Sequence, residues 1–121
     1  MLRFVLIGLG IGAVSELAAY AQRLWLYRSP IYPLANVLVV FGLIMGALAS
    51  RVGVWGIGPV FAAGVGVGLV YETLNLAVLD WWYFPGERLY GLRGHTAIVI
   101  AISLAWGTVP LATALARGLT S

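Results

Sequence analysis

Four almost uninterrupted apolar runs, at about residues 2–26, 33–50, 59–79 and 95–116, dominate the chain. Each reaches or approaches the roughly 20 residues that a helix needs to cross hydrocarbon. Polar and turn-forming residues gather between them, as Arg28-Ser29-Pro30, as the stretch from Arg51 to Gly58, and as Phe84-Pro85-Gly86-Glu87-Arg88. Pro59 suits the first turn of the third run. Connections this short make successive helices antiparallel neighbours. The pattern predicts an all-α fold, an integral membrane four-helix bundle forming one transmembrane domain over residues 1–121.

Composition agrees. The 121 residues are 62% hydrophobic and only 9% charged, whereas a soluble domain carries about 25% charged residues. Too few charges remain to build a water-facing surface. No cysteine is present, so disulfides and thiolate metal sites are excluded. All seven basic residues are arginines standing singly near the ends of apolar runs, which suits headgroup contact and topology signalling better than nucleic acid. Arg3 and the small-x-small triplet Ala19-Tyr20-Ala21 imitate a cleavable signal. The same segment recurs later as an internal run, so it is expected to be a retained span.

That recurrence is an internal repeat. Shifted by 56 residues, Gly8, Gly10, Gly12, Val14, Glu16, Ala21, Trp25 and Tyr27 fall on Gly64, Gly66, Gly68, Val70, Glu72, Ala77, Trp81 and Tyr83. The expected architecture is a duplicated two-helix hairpin, with one copy at about 1–55 and the other at about 56–121. Both copies would enter the membrane from the same side, related by a pseudo-twofold axis along its normal. Arg3, Arg51 and Arg117 fall on one face, and Arg23, Arg28, Arg88 and Arg93 on the other. So even a distribution leaves orientation open and allows a homodimer or a partner membrane subunit. The expected setting is a bacterial or archaeal inner membrane.

Residues four apart share a helix face, so Gly8, Gly12 and Glu16 form one stripe, copied by Gly64, Gly68 and Glu72 and extended by Asn75. Small residues at this spacing let membrane helices approach closely. The expectation is that the first and third helices interlock through these glycines and aim both glutamates at a shared interior. An acid inside hydrocarbon faces a cavity, a partner or a substrate path. Two such acids close together titrate as a unit, and one held protonated can donate its proton. Glu16, Glu72 and Asn75 are the candidate catalytic groups, and Arg23 is an alternative, purely structural partner for Glu16.

Other polar and aromatic residues are candidates for contacting a ligand. Asn36 and His95 open the second and fourth helices at similar places, and Tyr20 lies one turn from Glu16. Trp25, Tyr27, Tyr32, Trp81, Trp82, Tyr83, Phe84 and Tyr90 fall on one side of the membrane, as an interfacial belt or as walls around a long apolar ligand. Arg23 and Arg93 on that side could hold a headgroup. With one histidine, neither a metal site nor a cofactor is expected. Phosphate-loop, zinc and serine-elbow signatures are missing.

The segment Tyr71-Glu72, Ala77, Trp81-Trp82-Tyr83 and Pro85 resembles one in the heteromeric-type lycopene cyclases. There an aromatic-acid pair precedes a Trp-Trp-aromatic run and a proline. The resemblance covers about residues 71–85 and implies that Glu72 protonates a carotene while the tryptophans lie beside it. That family's Pro-Leu-Glu-Glu segment is replaced here by Gly94-His95-Thr96. Glu16 also resembles the first-helix glutamate of the small multidrug resistance transporters. Three functions follow as expectations: acid-assisted chemistry on an isoprenoid or other lipid by a cyclase or isomerase; proton- or cation-coupled transport; or an accessory role in a larger membrane complex.

Overall fold

The computed structural model describes residues 1–119. It contains four helices long and apolar enough to cross a membrane: α1 (Leu2–Gln22), α2 (Ile31–Trp55), α3 (Ile57–Leu79) and α4 (His95–Leu119). Their outward faces expose Leu17, Leu43, Val78, Ile100 and Leu115, more apolar surface than water-facing helices present.

Helix ends depart from the expected boundaries for local reasons. α1 stops at Gln22 rather than Leu26 because Arg23 turns left-handed (φ 53°), and the capping N–H groups return to Ala19 and Tyr20. α2 starts at Ile31 and runs beyond Ser50 by one further turn, Val52–Trp55. Gly56, at φ 88°, then reverses the chain directly into α3.

The chain is not wholly helical. Between the helices lie two small antiparallel ribbons. β1 (Leu26–Tyr27) pairs with β2 (Trp82–Tyr83), placing Leu26 opposite Tyr83 and Tyr27 opposite Trp82. β3 (Arg88–Leu89) pairs with β4 (Leu92–Arg93). Tyr90 and Gly91, both at positive φ, make the tight turn between β3 and β4. The first ribbon joins the α1–α2 connection to the α3–α4 connection and caps one end of the bundle. Trp82, Phe84 and Leu89 are buried beneath this cap with Ile98 of α4. Half of the expected aromatic belt is therefore an inward-facing lid.

Helix pairing corrects the expected arrangement. α1 packs on α2 and α3 packs on α4, while α4 also touches α1 and α2; α1 and α3 form no interface of comparable extent. The glycine stripes serve these hairpin contacts. A Cβ built on Gly12 would lie 2.7 Å from the Phe41 side chain, and one on Gly68 would lie 2.6 Å from that of Trp106. Gly8 meets the Phe41 carbonyl in the same way that Gly64 meets that of Trp106. Pro110, lacking an N–H, leaves the Trp106 carbonyl without its usual helical donor, and Gly64 makes room for it. The innermost pair is thus α2 and α4, where the Phe41 and Trp106 ring centroids are 4.6 Å apart.

Two stretches wind as π-helix, Asn36–Ile44 in α2 and Asn75–Leu79 in α3. In an α-helix residues five apart diverge by about 140°; wider π turns bring them back toward one face. Asn36 and Phe41 can therefore both face α1. In α3 the Asp80 N–H bonds to the Asn75 carbonyl (2.8 Å) and closes the π turn.

Candidate functional site

Below the cap lies a cavity of about 210 Å³ lined by both Glu16 and Glu72. Glu16 precedes the end of α1 by six residues and Glu72 precedes the end of α3 by seven, so each carboxyl sits roughly 10 Å below its helix end. Trp25, Tyr27, Trp82 and Phe84 close the cavity from the cap, and Phe41, Tyr71 and Trp106 wall it from the helices. The Tyr71 ring packs against both Trp82 (centroids 4.7 Å) and Trp106 (5.9 Å).

Each carboxylate is held by neutral donors. Glu16 accepts from the Tyr27 hydroxyl (2.6 Å), the Asn36 amide (2.5 Å) and the Trp25 indole (3.2 Å). Glu72, only 4% exposed, accepts from the indoles of Trp106 (3.2 Å) and Trp82 (3.3 Å). An indole N–H can only donate, so it fixes the facing carboxyl oxygen as an acceptor. Burial and the neighbouring Glu16 push the Tyr27 phenol up from its ordinary value, keeping that donor protonated. The Arg28–Asp80 ion pair (3.1 Å) and the contact of His95 with Glu87 (3.5 Å) lie elsewhere. Arg23, the expected alternative partner of Glu16, is exposed on the cap.

The other sequence-derived candidates divide between cavity and scaffold. Asn36, Tyr71 and Trp82 line the cavity. Asn36 is buried well inside α2 rather than at its opening, and its side-chain Oδ1 has no protein hydrogen-bond partner. Asn75 is buried as scaffold: its amide donates to the Trp82 carbonyl (3.0 Å) and accepts the N–H groups of Trp81 (2.7 Å) and Trp82 (3.2 Å). It pins β2 in place. Trp81 stacks on Tyr32 (centroids 4.8 Å) and stays outside the cavity lining. Tyr20 is 74% exposed, and Arg93 and His95 are also exposed, away from the carboxylates. His95 and Asn36 therefore do not occupy similar places.

The structure also corrects the 56-residue correspondence beyond the glutamates. Trp25 follows Glu16 by nine residues, whereas the indole that reaches Glu72 belongs to Trp82, ten residues on. The π turn at Asn75–Leu79 absorbs the extra residue, so Trp82 and not Trp81 plays the part of Trp25. Trp106 escaped the sequence reading altogether. Its signal was a tryptophan in the middle of an apolar run, where interfacial anchoring gives no reason for it.

Among the described residues, no three side chains of His, Cys, Asp or Glu gather as metal ligands. What the arrangement offers is two acids facing one small aromatic space, with every nearby hydrogen-bond donor neutral. No family model, curated protein or solved structure matches the chain.

Proposed function

We propose that this chain is a multi-pass integral membrane protein, built from a duplicated hairpin, that binds a compact cation between Glu16 and Glu72 and exchanges it for protons. Recurring contacts support the duplication. Gly12 receives Phe41 as Gly68 receives Trp106, and Trp25 holds Glu16 as Trp82 holds Glu72. The pseudo-twofold axis would pass between the touching rings of Phe41 and Trp106, carried by the second helix of each copy.

The observation that carries the functional reading is that, among the described residues, no guanidinium lines a cavity containing two carboxylates. Burying such charge unpaired is costly, so the pair is neutralised by protons or by an incoming cation. Competition between the two is the coupling principle of an exchanger. The aromatic walls add attraction for a cation through their ring faces. The small multidrug resistance transporters, whose first-helix glutamate Glu16 resembles, pair their glutamates by dimerisation; here both would reside in one chain.

Proteoliposomes holding an internal pH dye test this. An imposed proton gradient should be dissipated when compact organic cations are added, and Glu16→Gln and Glu72→Gln should abolish the effect. Wild-type protein that is folded, inserted and unresponsive to every cation would overturn the proposal.

Acid-assisted chemistry on an isoprenoid is the second reading. It is favoured by Tyr71, Glu72 and Trp82 of the lycopene-cyclase-like segment meeting at the cavity, where rings could shield a carbocation. A cavity of 150 Å³ accommodates benzene, so one of about 210 Å³ takes only the end of such a chain. A cyclic product formed in carotene-producing cells, and lost in Glu72→Gln, would decide for it.

A further inference from the structure

Around the cavity, the indole and amide hydrogen-bond donors are spent, while a buried acceptor and a buried hydroxyl remain. The indoles of Trp25, Trp82 and Trp106 are committed to the glutamates. The Asn36 amide nitrogen is shared between Glu16 and the Tyr27 hydroxyl. Two buried atoms on cavity-lining residues have no protein partner: Asn36 Oδ1, on a side chain only 3% exposed, and the Tyr71 hydroxyl. An amide oxygen can be satisfied only by a donor, and a tyrosine hydroxyl oxygen can accept as well. At Asn36 Oδ1 the unmet demand is therefore for an N–H or O–H bond, beside two carboxyl acceptors; the Tyr71 hydroxyl can accept such a bond and still holds an unspent O–H of its own.

We infer that the ligand is a protonated amine that keeps free N–H bonds, rather than a quaternary ammonium ion or an apolar chain end. Its charged nitrogen lies between the carboxylates and donates to Asn36 Oδ1 and the Tyr71 oxygen, while its carbon part rests on the Trp106 and Phe41 rings. A quaternary cation satisfies the charge but leaves the buried Asn36 Oδ1 unpaired and offers the Tyr71 oxygen no donor, as does an alkene. By the benzene comparison the cavity admits roughly eight heavy atoms. This inference rests on the cation-binding reading and specifies its substrate class.

The test compares n-butylammonium with tetramethylammonium, two cations of equal charge and equal heavy-atom count. Each is titrated into purified full-length protein in detergent, with binding read by calorimetry and by fluorescence of the cavity tryptophans. We expect butylammonium to bind at least tenfold more tightly. Tyr71→Phe, which keeps the ring, should reduce that preference severalfold while leaving tetramethylammonium affinity unchanged. Equal affinities, or tighter binding of tetramethylammonium, would overturn the amine assignment while leaving a cation site. A preference that survives Tyr71→Phe undiminished would remove the hydroxyl's assigned role and overturn the inference as stated. No binding of either cation to folded protein would overturn the cation site itself.

Discussion

Replacing each cavity glutamate by glutamine should have unequal effects on stability, because the two carboxylates face different donors. Glu72 lies between the indoles of Trp82 and Trp106. A glutamine has one oxygen to offer, and its NH₂ would point at the other indole, which can only donate. One buried N–H is left unsatisfied, at a cost of about 1–3 kcal/mol, or roughly 5- to 150-fold in the unfolding equilibrium. Glu16 faces more adaptable partners. Its Oε2 side meets the Trp25 indole, but its Oε1 side meets a hydroxyl and an amide. The Tyr27 hydroxyl can rotate to accept, and Asn36 can flip to present its unpartnered Oδ1. Glu16→Gln should then keep its hydrogen bonds. Both substitutions remove one titratable carboxyl from the same cavity, so any change in buried charge largely cancels in the comparison. Unfolding in mixed detergent micelles, followed by far-ultraviolet circular dichroism, should rank Glu72→Gln below Glu16→Gln by about 1–3 kcal/mol. Equal destabilisation, or a neutral Glu72→Gln, would show that the indoles do not hold Glu72 as described.

Other expectations follow from the packing and the cap. Gly68→Ala and Gly12→Ala should each lower stability by about 1–3 kcal/mol, since the new methyl meets the Trp106 or Phe41 side chain; Gly10→Ala and Gly66→Ala, with open space around them, should be near neutral in the same unfolding assay. Asn75→Ala frees three backbone groups of the β2 ribbon, so amide hydrogen exchange at Trp81 and Trp82 should rise at least tenfold while the middle of α2 stays protected. Above pH 10 the unfolded chain ionises Tyr27 while the folded chain, with its phenol pushed up by burial and by Glu16, does not. Stability should therefore be intact below pH 10 and fall by about 1.4 kcal/mol per pH unit above it through this residue, and Tyr27→Phe should flatten that slope relative to wild type.

The four helices were legible because the length of an apolar run is a local property of the chain. That Glu16 and Glu72 sit inside the helices was legible for a similar reason: an acid within such a run stands out against its neighbours, and two at matching places stand out further. Which residues surround them was not. Glutamate partners such as Trp25 and Tyr27 looked like interfacial anchors, since nothing in the sequence tells a tryptophan lying in headgroups from one folded under a cap. Asn75, one turn from Glu72, was assigned to the chemistry, yet its amide is taken up by the ribbon.

By itself the sequence determined how many apolar helices form, where the chain turns between them, and that the first and third share a glycine-and-acid stripe. Tertiary structure decided what that stripe touches. When every face of every helix is apolar, no amphipathic contrast marks the inward side, so pairing is set by shape: a ring seated on a glycine, a carbonyl over a missing Cβ, a π turn that shifts one tryptophan into reach. Those are relations between distant segments, and they placed Phe41 against Trp106 at the centre instead of glycine against glycine.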